Sequence, residues 1–243
     1  MREDYKEDIR KIREVLHNSK HAVFFGGAGV STDSGIPDFR GTGGLYTGEA
    51  VNNEYFLSKE CLLNEPERFY EFYRKNMVFP DAKPNRTHKA LAKLENIGLI
   101  KSVITQNIDG LHQEAGSSRV IELHGTVSRF YCTKCRESYN KNLLNETDTV
   151  PVCHKCGGIV RPDVILYGEY LDGFAFADAE NEINKADVLI AGGSSLKVNP
   201  AASLVGGFKG PHLIIINYST TPYDGMAEYV IRDSISDVFE ELI

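Results

Sequence analysis

The sequence predicts an α/β protein with a doubly wound parallel (Rossmann-like) sheet and a second, smaller domain. Two observations predict the sheet: short apolar strands alternate with amphipathic helices, and a glycine-rich loop at 26–40 follows the first strand. Two further segments do not fit this alternation. One is an aromatic-rich stretch at 45–80, and the other is a polar stretch at 130–160 that contains four of the five cysteines.

The individual elements follow from the spacing of apolar residues. A charged amphipathic helix at 3–17 precedes a strand at 21–25. The aromatic-rich stretch predicts a small helical insertion in which Pro66 begins a helix. A helix at 88–97 ends before Gly98, a residue that commonly terminates helices. The remaining predicted elements are strand 101–105, helix 109–115, strands 119–123 and 163–167, helix 174–186, strand 187–191, helix 200–208, strand 212–216 and helix 234–242.

These elements predict two interleaved domains. The Rossmann-like domain is expected to comprise residues 1–40, 85–125 and 161–243. The smaller domain is expected to consist of the helical insertion, 41–84, and a zinc-binding module, 126–160.

The composition restricts the partners and the location. With 27 Lys and Arg against 34 Asp and Glu, the formal net charge is −7, which argues against general binding to nucleic acid or anionic membranes. The first residues are charged and helical in pattern, unlike a signal peptide. No apolar run approaches the roughly 18 residues that span a bilayer. We therefore expect a cytoplasmic monomer without nucleic-acid or membrane partners.

Two cysteine pairs predict a metal site. Cys132-x2-Cys135 and Cys153-x2-Cys156 are separated by seventeen residues, a spacing typical of four-cysteine zinc sites. Four thiolates leave no open position on a tetrahedral ion, so the zinc is expected to be structural. A redox-active pair fits less well, because neither pair opens a helix after a strand. The fifth cysteine, Cys61, is expected to be a small core residue.

Polar residues follow several predicted strands at the point where each strand ends. They lie in the glycine loop, at 105–109, at 192–195 and at Asn217. Because doubly wound sheets bind ligands beyond the carboxyl ends of their strands, we expect these segments to form one site. The glycine loop alone is a weak nucleotide signal, since its spacing is G-x-G-x5-G and not G-x-G-x-x-G.

The complete string GGAGVSTDSGIPDFR at 26–40 is more specific, because it closely resembles the NAD loop of the sirtuins, the NAD-dependent protein-lysine deacylases, of bacterial type. TQNIDGLH at 105–112, ELHG at 122–125 and GSS at 193–195 also resemble sirtuin motifs. The resemblance covers nearly the whole chain, in order. The family usually has Thr where this chain has Gly26.

The resemblance implies roles for individual residues. By itself a histidine such as His124 would more often be structural, but the resemblance identifies it as the general base, and Asn107 as a second catalytic residue. NAD is expected to contact Gly27, Ala28, Gly29, Ser31, Thr32, Asp38, Phe39, Arg40, Gln106, Asn107, Ile108, Asp109, His124, Gly193, Ser194, Ser195, Asn217 and Ile231. The substrate peptide is expected to contact Val164, Leu166, Tyr167, Gly168 and Glu169, with Tyr167 standing where the family usually has Phe.

The implied reaction consumes NAD. The acyl group of an acyl-lysine protein or peptide passes to ADP-ribose, and nicotinamide, O-acyl-ADP-ribose and free lysine are released. The same pocket could instead support mono-ADP-ribosyl transfer, or NAD binding without catalysis. Sirtuins specialised for succinyl or malonyl lysine usually carry Tyr-x-x-Arg in the helical insertion, and neither Tyr70 nor Tyr73 has that arginine. An acetyl or longer apolar acyl group is therefore expected.

Overall fold

The structure is a computed structural model that describes residues 5–38 and 53–243. Its strands, in chain order, are β1 (Ala22–Gly26), β2 (Ser102–Thr105), β3 (Val120–Glu122), β4 (Gly125–Cys132), β5 (Ser138–Asn140), β6 (Val160–Val164), β7 (Val188–Gly192), β8 (His212–Ile216) and β9 (Tyr229–Ile231). Its α-helices are α1 (Lys6–Asn18), α2 (Asn53–Phe56), α3 (Lys59–Asn64), α4 (Pro66–Met77), α5 (Arg86–Asn96), α6 (Leu111–Glu114), α7 (Gly173–Lys185), α8 (Ser203–Gly206) and α9 (Ile235–Leu242).

Six of these strands form a parallel sheet in the order β3-β2-β1-β7-β8-β9. The order runs outward in both directions from the β1–β7 pair, as in doubly wound folds, and reverses between these two strands. The predicted fold class is therefore confirmed.

Both faces of this sheet are covered, which explains why its strands are continuously apolar. In β1, Ala22 and Phe24 pack on one face with α1, α5 and α9. Val23 and Phe25 point to the other face, where they pack with α7 and α8. All five residues of β1 are buried, as are all five of β7.

The remaining strands form a three-stranded antiparallel sheet in the order β5-β4-β6. Its core is separate and contains Phe69, Tyr70 and Tyr73 of α4 together with Phe130 of β4. We call residues 53–79 and 125–169 the small region, and the parallel sheet with its covering helices the sheet region.

Two predicted elements are corrected here. The strand expected at 163–167 in the parallel sheet is β6, Val160–Val164, which pairs antiparallel with β4 in the small region. Residues 165–169 leave the strand because the Arg161 guanidinium donates to Val164 O at 2.7 Å and to Glu169 Oε1 at 2.5 Å, which folds the chain back. The helix expected at 200–208 is the shorter α8.

Other predictions are confirmed. Pro66 begins α4, and Gly98, with φ +78°, follows α5 in the left-handed conformation. Cys61 is fully buried in the core of the small region. Among the described residues, no helix is both long enough and apolar enough to cross a membrane.

Candidate active-site cleft

A cavity of about 620 Å³ opens at the carboxyl ends of β1, β2, β7 and β8, next to the point where the strand order reverses. Its volume lies in the range of about 300–1,000 Å³ typical of ligand sites. The sheet region contributes residues between 28 and 38, together with 106–109, His124, 193–200, 216–220 and 233–235, while the small region contributes 164–169 and side chains of α4.

The glycine loop and the loop after β7 contact each other through their backbones. The Gly29 N–H donates to Gly193 O at 2.8 Å. A Cβ on Gly29 would lie 2.8 Å from the Gly193 Cα, and a Cβ on Gly193, whose φ is +61°, would lie 2.5 Å from the backbone nitrogen of Val30. Side chains are therefore excluded at both positions. This backbone-to-backbone contact of the two loops, the backbone cradle, forms part of the cavity wall.

The structure also accounts for Gly26. A Cβ at this position would lie 2.7 Å from Cε1 of Phe24 and 3.2 Å from Cγ2 of Val30. The Phe24 ring cannot move aside, because it is fully buried and packs edge-on against Phe239 at a centroid distance of 5.4 Å. Glycine at 26 is thus matched to the phenylalanine at 24.

Three polar side chains connect the glycine loop to the loop after β2. Ser31 Oγ donates to Asp109 Oδ2 at 2.7 Å, and Asn107 Nδ2 donates to Ser31 Oγ at 3.0 Å. The other carboxylate oxygen of Asp109 accepts from the Leu111 N–H at 2.9 Å, which fixes its orientation. Ser31 and Asn107 are buried and border the cavity. The Asn107 amide and the Asp109 carboxylate can together hold a ligand carboxamide.

His124 lies between β3 and β4 on the cavity wall. Its Nδ1 contacts Gln106 O at 2.8 Å, and with the proton on Nδ1 the lone pair of Nε2 is available. Burial lowers the pKa of His124 below its ordinary value, which keeps the imidazole neutral at cellular pH. Gln106 Oε1 also accepts a hydrogen bond from Ser194 Oγ at 2.6 Å. A neutral imidazole held in this way can act as a general base.

The five residues predicted to contact a peptide border the cavity, and their segment is held by a buried ion pair. The Arg161 side chain is 8% exposed and contacts both carboxylate oxygens of Glu169, at 2.5 and 2.9 Å. Although burial favours the protonated form, hydrogen bonds from Arg161 and from the Leu166 N–H hold the pKa of Glu169 below its usual value. The Tyr167 N–H donates to Leu57 O, so that the segment is also joined to the chain between α2 and α3.

Most of the residues predicted to contact NAD line the same cavity: Ala28, Gly29, Ser31, Thr32, Asp38, Gln106, Asn107, Ile108, Asp109, His124, Gly193, Ser194, Ser195 and Asn217. Gly27 stands behind the wall and donates its N–H to Gly192 O at 3.3 Å. The Ile231 side chain is fully buried in β9, so its role as a cofactor contact stays a prediction. Phe39 and Arg40 lie outside the described residues.

Sequence reasoning missed two groups of cavity residues. Residues 233–235 follow β9, a three-residue strand that was not predicted. The expectation that ligands bind beyond the carboxyl ends of strands was therefore not extended to these residues. The second group comes from the small region and includes Leu57, Tyr73, Asn76 and Met77. The Tyr-x-x-Arg comparison draws attention to Tyr73, but no motif marks Leu57 or Met77, because their positions depend on how the small region packs against the sheet region.

The four predicted metal ligands lie together at one end of the small region. The sulfur atoms of Cys132, Cys135, Cys153 and Cys156 all lie within 4.8 Å of one another. Cys132 and Cys156 Sγ are 3.5 Å apart, and Cys135 and Cys153 Sγ are 3.6 Å apart. These distances exceed a disulfide bond of about 2.05 Å and approach the roughly 3.8 Å edge of a tetrahedral zinc tetrathiolate. The cluster is in position to hold a zinc ion.

Comparison with known sequences gives consistent matches. A model of the Sir2 family matches residues 27–200. A Clostridium perfringens protein named NAD-dependent protein deacetylase is 49% identical over 242 residues, covering 98% of this chain and 99% of that protein. A Staphylococcus aureus protein of the same name is 46% identical over 241 residues, covering 98% of this chain and 99% of that protein.

Solved structures match along almost the whole chain. A Sir2 structure with a deacetylated p53 peptide and 3'-O-acetyl ADP-ribose has a TM-score of 0.88 and 38% identity, with 96% of both chains covered. A Sir2 structure with a p53 peptide and NAD+ has a TM-score of 0.86 and 38% identity, again with 96% of both chains covered.

Proposed function

The chain belongs to the Sir2 family, and we propose that its cleft holds NAD and an acyl-lysine side chain together. The protein is an NAD-dependent protein deacetylase: the acyl group leaves lysine for ADP-ribose, and nicotinamide is released. NAD supplies the ADP-ribosyl group that receives the acyl group. The observation that carries this assignment is the position of His124 on the wall of a cavity at the carboxyl edge of the sheet, with its Nδ1 held 2.8 Å from Gln106 O.

We assign the general base to His124. Its Nδ1–H donates to Gln106 O, which leaves Nε2 unprotonated. Nε2 can therefore accept a proton from a ribose hydroxyl. The proton taken up stays on a ring whose Nδ1 contact with the carbonyl oxygen favours the charged form, which partly offsets the cost of burial.

The remaining site residues divide the binding. Asn107 and Asp109 are proposed to hold the carboxamide of nicotinamide, supported by the Ser31 hydroxyl that joins them. Gly193, Ser194 and Ser195 suit ribose and phosphate oxygens, since hydroxyls next to a bare backbone can bind anions closely. Asn217 and Gln106 are proposed as further ribose contacts.

The cavity-facing segment 164–169 is proposed to pair with the substrate peptide as an added strand. The buried Arg161–Glu169 pair holds this segment in place before substrate arrives. Acyl-lysine proteins or peptides are the expected partners.

The products bound in the matched Sir2 structures argue against mono-ADP-ribosyl transfer as the main reaction. The Sir2 structures include acetyl-ADP-ribose together with deacetylated peptide, the products of acyl transfer. A pure NAD-binding role would not require a neutral imidazole in the cleft.

We also propose three properties of the whole chain. The predicted division gives 1–40, 85–125 and 161–243 to the Rossmann-like domain and 41–84 and 126–160 to the smaller domain. Because β6 and residues up to 169 pack in the small region, we propose that this last boundary lies after residue 169 and not before 161. The protein is proposed to be a cytoplasmic monomer, and a use of cysteine for a metal cluster and one buried core position is typical of a reducing compartment. It does not use nucleic acid as a partner, which the net charge of −7 supports.

The test is His124→Ala, assayed for nicotinamide release from NAD with and without an acetyl-lysine peptide. Loss of a general base is expected to lower peptide-dependent turnover by about 10²–10⁴-fold while NAD still binds. His212→Ala is the matched control, because His212 begins β8 at the opposite edge of the sheet and pairs with Glu228. Turnover by His124→Ala close to that of the control would refute the assignment.

A further inference from the structure

The glycine loop is attached to the rest of the sheet region at two separate places. Residues 27–29 lie against the loop after β7, where the Gly29 N–H donates to Gly193 O at 2.8 Å. Residues 30–34 lie instead against the beginning of α5. The residue that makes this second attachment is Asn85, which directly precedes α5 and does not border the cavity.

Both ends of the Asn85 side chain form hydrogen bonds. Its Oδ1 accepts from the N–H groups of Thr87 at 2.9 Å and His88 at 3.3 Å, which caps the helix. Its Nδ2 donates to Val30 O at 2.7 Å and to Ser34 Oγ at 3.0 Å. Because backbone N–H groups only donate and a carbonyl oxygen only accepts, these partners fix the orientation of the amide. The oxygen therefore serves α5, and the nitrogen holds the glycine loop.

A chain of buried hydroxyls holds the same part of the loop from behind. Thr87 Oγ1 and Ser236 Oγ are 3.0 Å apart, and both side chains are fully buried. Ser236 Oγ in turn donates to Asp33 Oδ2. The loop is thus fixed from the side of α5 and α9 at three successive points, Val30, Asp33 and Ser34.

The stretch that Asn85 holds contains Ser31, which faces the cavity. Ser31 Oγ donates to Asp109 Oδ2 at 2.7 Å and accepts from Asn107 Nδ2 at 3.0 Å, so the serine joins these two side chains. Val30, the residue before it, accepts the shorter of the two hydrogen bonds from Asn85. A displacement of Val30 would move Ser31 and with it the spacing of Asn107 and Asp109. Residues 27–29 have their own attachment to Gly193 and would stay in place.

We propose that Asn85 is a positioning residue for the carboxamide end of the cleft, where its Nδ2 hydrogen bonds hold Ser31 between Asn107 and Asp109. The inference rests on the proposed function, in which those two side chains bind the carboxamide of nicotinamide. The phosphate and ribose end of the cleft does not depend on Asn85. Binding of NAD, which carries the carboxamide, should therefore depend on Asn85, whereas binding of ADP-ribose, which lacks it, should not.

The test uses Asn85→Asp and Asn85→Ser, measured by calorimetry with NAD and with ADP-ribose. Aspartate and serine cap helices about as well as asparagine, so the urea midpoint is expected to stay unchanged. Aspartate has no N–H to donate, and serine is shorter and carries no added charge. In both variants the dissociation constant for NAD is expected to rise about tenfold, the size of one lost hydrogen bond. That for ADP-ribose is expected to stay near its value in the unmodified protein.

Asn140→Asp is the matched control. Asn140 caps the turn Lys141–Asn145 in the small region by accepting from the Asn142 N–H at 2.9 Å, and it lies outside the cavity. The substitution makes the same change of amide to carboxylate at a cap that does not touch the glycine loop. Both dissociation constants are expected to match those of the unmodified protein.

Three outcomes would overturn the inference. Equal rises for NAD and ADP-ribose would show that Asn85 supports the whole loop, and no rise for either would show that the loop keeps its shape without the donated hydrogen bonds. A change confined to Asn85→Asp would show that the added charge is the cause. Because unfolding would weaken both ligands alike, the ratio of the two constants stays decisive if the urea midpoint falls. Failure of the proposed function is distinguishable, since the unmodified protein would then release no nicotinamide with an acetyl-lysine peptide.

Discussion

The sheet region and the small region are stabilised in different ways. In the sheet region, β1 and β7 are buried along their whole length, and adjacent loops contact each other through backbone atoms. In the small region, β4 alternates buried and exposed residues, and two of its four clustered cysteines are exposed. A small core with exposed strands commonly depends on a metal ion or other cross-link for its stability.

Because of this difference, the two ends of the cleft are built from different parts of the molecule. Its cofactor end is shaped by backbone geometry of the sheet region, where Gly29 and Gly193 permit no side chain. Its acyl end is shaped by side chains of the small region, such as Tyr73 and Met77. Substitutions at the cofactor end are therefore expected to damage the fold, whereas substitutions at the acyl end are expected to change substrate preference.

The largest expected effect comes from removing the metal. Structural zinc sites contribute about 10–16 kcal/mol of apparent binding free energy in isolated zinc-binding peptides. A strong chelator is expected to expose amides of β4, β5 and β6 to hydrogen exchange while those of β1, β7 and β8 stay protected. Equal protection of both sets before and after chelation would show that the small region is stable without metal.

The same comparison explains what the sequence could predict. The parallel strands were predictable because burial on both faces makes each one a continuous apolar run, as in HLIII at 212–216. The apolar run at 163–167 wrongly predicted a strand of the parallel sheet. Its apolar side chains line the cavity, and the Arg161–Glu169 pair ends β6 at Val164. The cysteine cluster followed from spacing. The approach of Leu57 and Met77 to the cavity did not, since it is a property of tertiary packing.

A smaller effect is expected from Gly193→Ala, which tests the backbone cradle. The added Cβ would lie 2.5 Å from Val30 N at a φ of +61°. Positive φ costs alanine about 1–2 kcal/mol, and the clash adds about 1–3 kcal/mol. We expect the free energy of unfolding, measured with urea, to fall by about 2–5 kcal/mol. We also expect weaker NAD binding.

Gly98→Ala separates the two contributions. Gly98 has a φ of +78°, and the nearest atom to its added Cβ is the flexible end of Lys101, at 3.7 Å. In this control the free energy of unfolding is expected to fall only by the cost of placing alanine at positive φ. NAD binding is expected to stay normal. Equal losses in the two variants would mean that the contact between the glycine loop and the loop after β7 carries no special constraint.

The smallest expected effect concerns two buried histidines behind the cofactor end. His88 and His112 pack edge to face at a centroid distance of 4.7 Å, and neither nitrogen of His112 has a partner among the described residues. Burial lowers the pKa of His112 to about 3 and that of His88 to about 4, the latter despite the nearby charge of Asp109. Both values lie below the ordinary 6.5 of the unfolded chain.

Below pH 6.5 the unfolded chain therefore binds protons that the folded chain does not, and stability falls as the pH falls. Each histidine contributes a slope of about 1.4 kcal/mol per pH unit between its two pKa values. Urea unfolding at pH 6.5 and 5.5 measures this loss, and His112→Phe is expected to reduce it by about 1 kcal/mol because phenylalanine fills the site without titrating. Comparing the variant with the unmodified protein cancels the contribution of His124, whose pKa is also lowered. An equal fall in unfolding free energy in both proteins would show that His112 can be protonated in the folded state. Its ring nitrogens would then have hydrogen-bond partners such as buried water.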